Sequence, residues 1–170
     1  MRNPVLRAVR CGKLAALTAT SVLLGGCGPT VTMNVQVQDA QGNLKNQFTV
    51  TNSDPGPTTV DVAYGDTILV TPSATYSDGL QKFWLEGSKS CQGHASNILE
   101  PPGGNAIPAG TSPAQASFTN NFGAFNCAYP AEMDLDAGAT GNPSSGVFGG
   151  GPTTNRTQKA VLLIPKGKGK

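Results

Sequence analysis

Apolar and polar side chains alternate along several short stretches of the chain. The clearest runs from Val31 to Gln38, where every second residue is Val or Met and the residues between them are polar. A period of two is typical of a β-strand that buries one face. Similar stretches lie between turns rich in Gly, Pro, Asp and Asn, and we predict strands in them at 48–50, 60–64, 67–75, 80–85, 116–119, 132–140 and 158–164.

The stretch 132–140 separates its two faces by chemistry. One face is apolar and comprises Met133, Leu135 and Ala137. The other is acidic and comprises Glu132, Asp134 and Asp136. We predict that the apolar face packs on a core and that the three carboxylates lie on the solvent face of the strand.

Two longer stretches, 87–113 and 141–156, lack this alternation and are predicted to be irregular loops. No segment after residue 30 shows the sustained 3.6-residue period of a helix. About seven short strands with frequent turn signals indicate an all-β fold, a β-sandwich over residues 31–165. The two loops are the expected binding surface, at one end of the sandwich.

Part of this pattern resembles bacterial immunoglobulin-like domains. Residues 66–87, with the turn Ser77-Asp78-Gly79 and Trp84, are similar to their second and third strands. Residues 132–142 resemble the penultimate strand and residues 158–164 the last one. The resemblance implies an immunoglobulin-like antiparallel β-sandwich. No pair of cysteines brackets Trp84 with the spacing of antibody domains.

The N-terminus has the features of a secretory signal peptide. Positive residues without any acid come first, at Arg2, Arg7, Arg10 and Lys13. The apolar stretch Leu14–Leu24 follows, and its 11 residues are too few to span a bilayer, which takes about 20. A charged start, a short apolar stretch and small residues before a break point are typical of a cleaved signal.

The end of this segment, Leu24-Gly25-Gly26-Cys27, resembles the lipobox of bacterial lipoproteins. The resemblance implies that residues 1–26 are removed, that Cys27 is lipidated, and that residues 27–30 form a short tether. Position 28 is Gly and not Asp. In the usual sorting pattern of bacterial lipoproteins, this implies the outer membrane. The alternative is a secreted protein that is cleaved near Gly26 and carries no lipid on Cys27.

Removing the signal changes the charge balance. The full chain of 170 residues has 12 basic and 10 acidic residues, but four of the basic ones lie in the predicted signal, so the mature net charge is −2. Three more are in the basic tail 166–170, which we expect to be flexible. A folded body with few basic residues does not favour nucleic acid as a partner.

The mature chain keeps Cys91 and Cys127 besides Cys27. An even pair in an oxidising compartment predicts a disulfide. The alternative is a metal site that uses Cys91, Cys127 and His94, although a tetrahedral site needs a fourth ligand. The chain has one histidine, which excludes metal sites that need two or more, and we predict no metal and no cofactor.

Aromatic side chains cluster around Cys127, among them Phe122, Phe125 and Tyr129. They predict either a binding platform, with Phe122 and Phe125 as candidate binding-loop residues, or a small core beneath the disulfide. His94 lies in a polar stretch, and no G-x-S-x-G sequence supplies a nucleophile for it.

These features together favour a lipid-anchored protein of the bacterial cell envelope with a non-catalytic binding or structural role. Its expected partners are the membrane, through the anchor, and an envelope protein. One alternative is a module that binds glycan or surface matrix. The other is an accessory protein or small hydrolase that uses His94.

Overall fold

The alternating stretches form strands, and the strands form two sheets that pack as a β-sandwich, as predicted. The computed structural model describes residues 28–143 and 150–166. The predicted signal peptide, Cys27 and residues 167–170 of the basic tail lie outside the described residues. In the described ranges the strands are β1 Thr30–Gln38, β2 Leu44–Thr51, β3 Thr58–Asp61, β4 Thr67–Thr75, β5 Leu80–Cys91, β6 His94–Glu100, β7 Gln115–Ser117, β8 Asn120–Ala124, β9 Ala131–Gly141, β10 Thr154–Arg156 and β11 Ala160–Ile164.

The first sheet is built around β1 and β4. Its order is β2-β1-β4, and β7 and β8 both pair with the other side of β4. All of these pairs are antiparallel, and β1 pairs with β4 over its whole length, from Thr30 opposite Thr75 to Gln38 opposite Thr67. This sheet therefore forms one of the two layers of the sandwich.

The second sheet has the order β3-β11-β9-β5-β6. Two short strands share one side of β9: β11 pairs with its first half and β10 with its second half. The pair β3–β11 is parallel, whereas the other pairs are antiparallel. β9 thus lies at the centre, between β5 on one side and both β10 and β11 on the other. Among the described residues no helix is long and apolar enough to cross a membrane.

The core lies between the sheets and follows the predicted period of two. The inward residues of β1 are completely or almost completely buried, as are those of β4, β5, β9 and β11; the largest are Phe83, Met33, Ile68, Leu80, Leu85, Met133, Leu135, Leu162 and Ile164. Burying one such side chain stabilises a fold by ~1.5–3 kcal/mol. The alternation in the sequence therefore fixes which face of each strand turns inward.

The prediction that residues 87–113 are irregular is wrong for the first part of this stretch. β5 continues to Cys91, and the turn Gln92-Gly93 leads into β6. Both turn residues have positive φ, 51° and 84°, which is typical of a two-residue hairpin turn. β6 is mostly polar and exposed, so it lacks the alternation that marks a half-buried strand. The prediction of an irregular loop over 141–156 is wrong at its end, because Thr154–Arg156 form β10 and pair with β9. With β6 and β8, this short strand brings the described strands to eleven.

Cys91 and Cys127 form a disulfide. Cys91 ends β5 in the second sheet and Cys127 follows β8 of the first sheet, so the bond joins the two sheets. Their Cα atoms are 5.4 Å apart, within the normal range for a disulfide. Both sulfur atoms are used in this bond, so the alternative metal site with His94 is not formed.

The sandwich has two ends that differ in their contents. The near end holds Gly28 and Pro29, and the amide Nδ2 of Asn155 donates a hydrogen bond of 2.8 Å to the Pro29 carbonyl. The far end holds the Gln92–Gly93 turn and the disulfide. The strands run between these ends, so the first described residues and the disulfide are separated by the length of the sandwich.

Replacing both Cys91 and Cys127 with Ser should lower the free energy of unfolding by about 2–4 kcal/mol, because the bond closes a loop of 36 residues in the unfolded chain. Urea unfolding of the purified protein measures this loss. A reductant should destabilise the wild type to the same level and leave the double variant unchanged. Equal stability of wild type and variant would contradict a structural role for the bond.

Candidate functional site

A groove of about 500 Å³ opens at the far end of the sandwich. It lies where β3 and β11 end, where β9 begins and where the β5–β6 hairpin turns. Leu163, Ile164 and Pro165 supply apolar surface, and Tyr129 contributes an aromatic ring. The polar and charged lining residues are Asp61, Ser90, Glu132 and Lys166.

Tyr129 is held in place by the chain on both sides of it. Cys127, two residues earlier, is fixed by the disulfide, and Ala131, two residues later, pairs with Cys91. The backbone N–H of Gln92 donates a hydrogen bond of 2.8 Å to the carbonyl of Pro130. The Tyr129 side chain remains 49% exposed, which is unusual for a large aromatic residue in this fold. A fixed and exposed ring is suited to contact a ligand.

The acidic side of the groove has a perturbed carboxyl group. A side-chain hydrogen bond with Asp134 and partial burial raise the pKa of Glu132 above its ordinary value, while Lys159 acts in the opposite direction. The ammonium of Lys159 lies 3.6 Å from the Asp134 carboxylate. The carboxyls of Glu132 and Asp61 give this rim acceptors for hydrogen bonds.

Outside the groove, Trp84 covers the centre of the second sheet. Its indole N–H donates a hydrogen bond of 2.8 Å to a carboxylate oxygen of Glu86. The ring lies against Gly138 on β9, and a Cβ atom at that position would overlap it. The cations of Lys82 and Arg156 lie 4.8 Å and 5.5 Å from the ring centre. Glycine at position 138 therefore provides the flat surface that the indole needs.

Arg156 on β10 binds two carboxylates of this face, those of Glu86 on β5 and Asp136 on β9. Asp136 was predicted on the solvent face, but it is only 9% exposed, because neighbouring side chains cover it. Burial and the nearby Glu86 raise the pKa of Asp136, and Arg156 opposes this shift. The network ties β10 to β5 across β9, so these carboxylates have a structural role.

The predicted binding platform of Phe122 and Phe125 needs correction. Phe125 is 1% exposed and belongs to the core, with the ammonium of Lys89 5.0 Å from its ring centre. Phe122 on β8 is half-buried against the same core. Both rings pack in or against the core and not on an open surface. The alternative prediction, a small core beneath the disulfide, therefore describes them better than a binding platform. Tyr129 is the member of the cluster that lies in the groove.

The two candidate loops share one end of the sandwich only in part. The Gln92–Gly93 turn lies at the far end, whereas Asn142 lies at the near end, where its N–H donates to the carbonyl of Gly79. The later part of 87–113 also reaches the near end, where Pro113 accepts a hydrogen bond from Leu80. Residues 144–149 of the second loop lie outside the described residues. The single histidine, His94, is exposed and pairs with Cys91.

Comparison with models of known protein families gave no match, and a search of curated proteins found no similar one.

Replacing Asp136 with Asn should make stability less dependent on pH. A raised pKa means that the folded protein holds this proton more tightly than the unfolded chain, so the wild type loses stability as pH rises through that pKa. The variant cannot titrate there. The difference in free energy of unfolding, variant minus wild type, should therefore increase as the pH rises above about 4, the ordinary pKa of an aspartate. Urea unfolding at several pH values measures it, and a constant difference would contradict the raised pKa.

Proposed function

We propose that this chain is a lipid-anchored protein of the bacterial outer membrane that binds a partner, without catalysis, through the groove at the far end. The observation that carries the proposal is the placement of the groove at the end of the sandwich opposite Gly28. Cys27 directly precedes Gly28 in the sequence. Lipid on Cys27 would therefore anchor the near end and leave the groove accessible.

The short tether supports the anchoring part of the proposal. β1 begins at Thr30, and Pro29 is already hydrogen-bonded to Asn155 of β10. A lipid on Cys27 would hold the folded domain directly at the membrane surface. Several acyl chains at ~0.8 kcal/mol per buried methylene group give stable anchoring, whereas a single chain gives marginal binding.

The chemistry of the far end supports binding. The groove combines apolar surface, the exposed ring of Tyr129 and a few polar groups, a composition common in ligand sites. The hydrolase alternative has less support, because the sulfur of Cys91, opposite His94, is held in the disulfide and cannot act as a nucleophile. The carboxylates of Glu86 and Asp136 are also engaged, because Arg156 binds both of them.

A second candidate is a module that binds glycan or surface matrix. The observation that favours it is the combination of the Tyr129 ring with the carboxyls of Asp61 and Glu132 around one groove. An aromatic ring can cover the apolar face of a sugar, and carboxylates accept hydrogen bonds from hydroxyl groups. In this candidate the ligand is a saccharide and not an envelope protein.

The anchor is tested by replacing Cys27 with Ser. The variant should lose palmitate labelling and appear in the soluble fraction, because the modified sulfur is absent. Cys11→Ser is a matched control, since Cys11 lies in the segment predicted to be removed, and it should remain labelled and membrane-bound. Labelling that persists in Cys27→Ser would contradict the lipobox assignment.

The groove is tested by placing a photo-crosslinking amino acid at Tyr129 in cells. Leu44 is the matched control, because it is 54% exposed, close to the 49% of Tyr129, and does not line the groove. We expect a reproducible protein adduct from position 129 and none from position 44. Glycan adducts at position 129 would favour the second candidate. Equal adducts at both positions, or none, would contradict binding at the groove.

A further inference from the structure

β6 is an open edge of the second sheet. In the part of the chain that the structure describes, it pairs with β5 on one side and with no strand on the other. Its seven residues contain no proline, and the five between His94 and Glu100 carry no charge. Its pairing with β5 has no register shift. An edge of this kind is a template for pairing with another strand.

The other edges among the described strands are protected. β3 has four residues and follows Pro55 and Pro57. β2 carries Lys45 and lies opposite a register shift at Val37–Gln38 of β1. β7 and β10 have three residues each, and the pairing of β8 with β4 is irregular. Short length, charge, proline and bulges are the features that prevent edge pairing. The five inner residues of β6, 95–99, carry none of them, and the charged Glu100 lies at its end.

The hairpin determines which backbone groups of β6 are free. In a two-residue hairpin the flanking residues, here Cys91 and His94, form a hydrogen-bonded pair. Hydrogen-bonded pairs then alternate along the strands, so Ser96, Ile98 and Glu100 also bond to β5. The N–H and C=O groups of Ala95, Asn97 and Leu99 point away from β5, toward the open edge.

We propose that β6 pairs antiparallel with β6 of a second copy of this chain, about a two-fold axis at Asn97. Asn97 then lies opposite Asn97 of the second copy, and Ala95 lies opposite Leu99 of the second copy. These residues carry the free backbone groups, so they form the hydrogen-bonded pairs of the new ladder. The two second sheets join into one continuous sheet.

The sequence of β6 is complementary to itself in this register, which favours a second copy as the occupant. His94 at one end lies opposite Glu100 of the second copy at the other end, on the same face of the sheet. Leu99, which is 50% exposed, gains a contact with the small side chain of Ala95. A two-fold interface needs a patch that fits itself, and a strand from an unrelated protein would not require this symmetry.

The pairing has a consequence for the orientation of two copies. β6 runs from the far end toward the near end, so antiparallel pairing places the near ends of the two copies at opposite ends of the dimer. If both copies are anchored in one membrane, their strands run along its plane. The pairing involves only β6, which β5 positions, and it is independent of the anchor.

Disulfide cross-linking of the full-length chain in cells tests the register. Residues directly opposite in a hydrogen-bonded pair have Cα atoms about 5.5 Å apart, which suits a disulfide. Asn97→Cys should therefore give a covalent dimer on a non-reducing gel. Ala95→Cys alone should not, because the two positions are displaced by about 13 Å along the strands. Co-expressed Ala95→Cys and Leu99→Cys copies should cross-link with each other.

Self-cross-linking of Ala95→Cys as strong as that of Asn97→Cys would overturn the antiparallel register. Cross-linking of Asn97→Cys to another protein in place of itself would overturn the second copy as the occupant, and so would no cross-link at all.

A charge substitution gives an independent test. Asn97→Lys places two like charges opposite each other at the axis, so co-purification of two differently tagged copies from detergent extracts should fall about fivefold or more. One Asn97→Lys copy with one Asn97→Glu copy should restore it. Asn46→Lys on the edge strand β2 is the matched control and should have no effect. Equal co-purification in Asn97→Lys and wild type would overturn the proposal.

Discussion

The burial of every second side chain between the two sheets is the interaction on which the rest of the structure depends. It places β9 at the centre of the second sheet, with Met133 and Leu135 facing the first sheet. The opposite face of β9 must then be covered as well. Trp84 lies on Gly138 there, and Arg156 joins β5, β9 and β10 through Glu86 and Asp136. The charged network is thus a consequence of how the core arranges the strands.

At the far end the apolar contacts are supplemented by a covalent bond. The disulfide joins β5 to the segment after β8, and Phe125, two residues before Cys127, is buried in the same core cluster. This arrangement fixes Tyr129 and Pro130 between the hairpin turn and β9. The pairing of the strands and the disulfide bring the elements that line the groove together. The exposed Tyr129 is therefore positioned by the fold itself.

The sequence predicts the sandwich well because its strands bury one face. The alternation at 31–38 predicts β1, and that at 132–140 predicts β9. β6 was missed because both of its faces are largely exposed, and its pairing depends on the turn at Gln92–Gly93. The contact of Arg156 with Glu86 joins residues 70 positions apart, and alternation identifies a face without identifying its neighbours. The groove around Tyr129 likewise combines four segments that are distant in the sequence, and alternation does not show that they are neighbours.

We propose an anchored domain that carries lipid on Cys27 and has its disulfide at the opposite end. Intact-mass spectrometry of the protein isolated from membranes without reductant tests both parts together. We expect a chain that begins at Cys27, carries acyl groups on that residue, and is two hydrogen atoms lighter than its reduced form. A mass without acyl groups, a chain that begins at another residue, or two free thiols at Cys91 and Cys127 would contradict it.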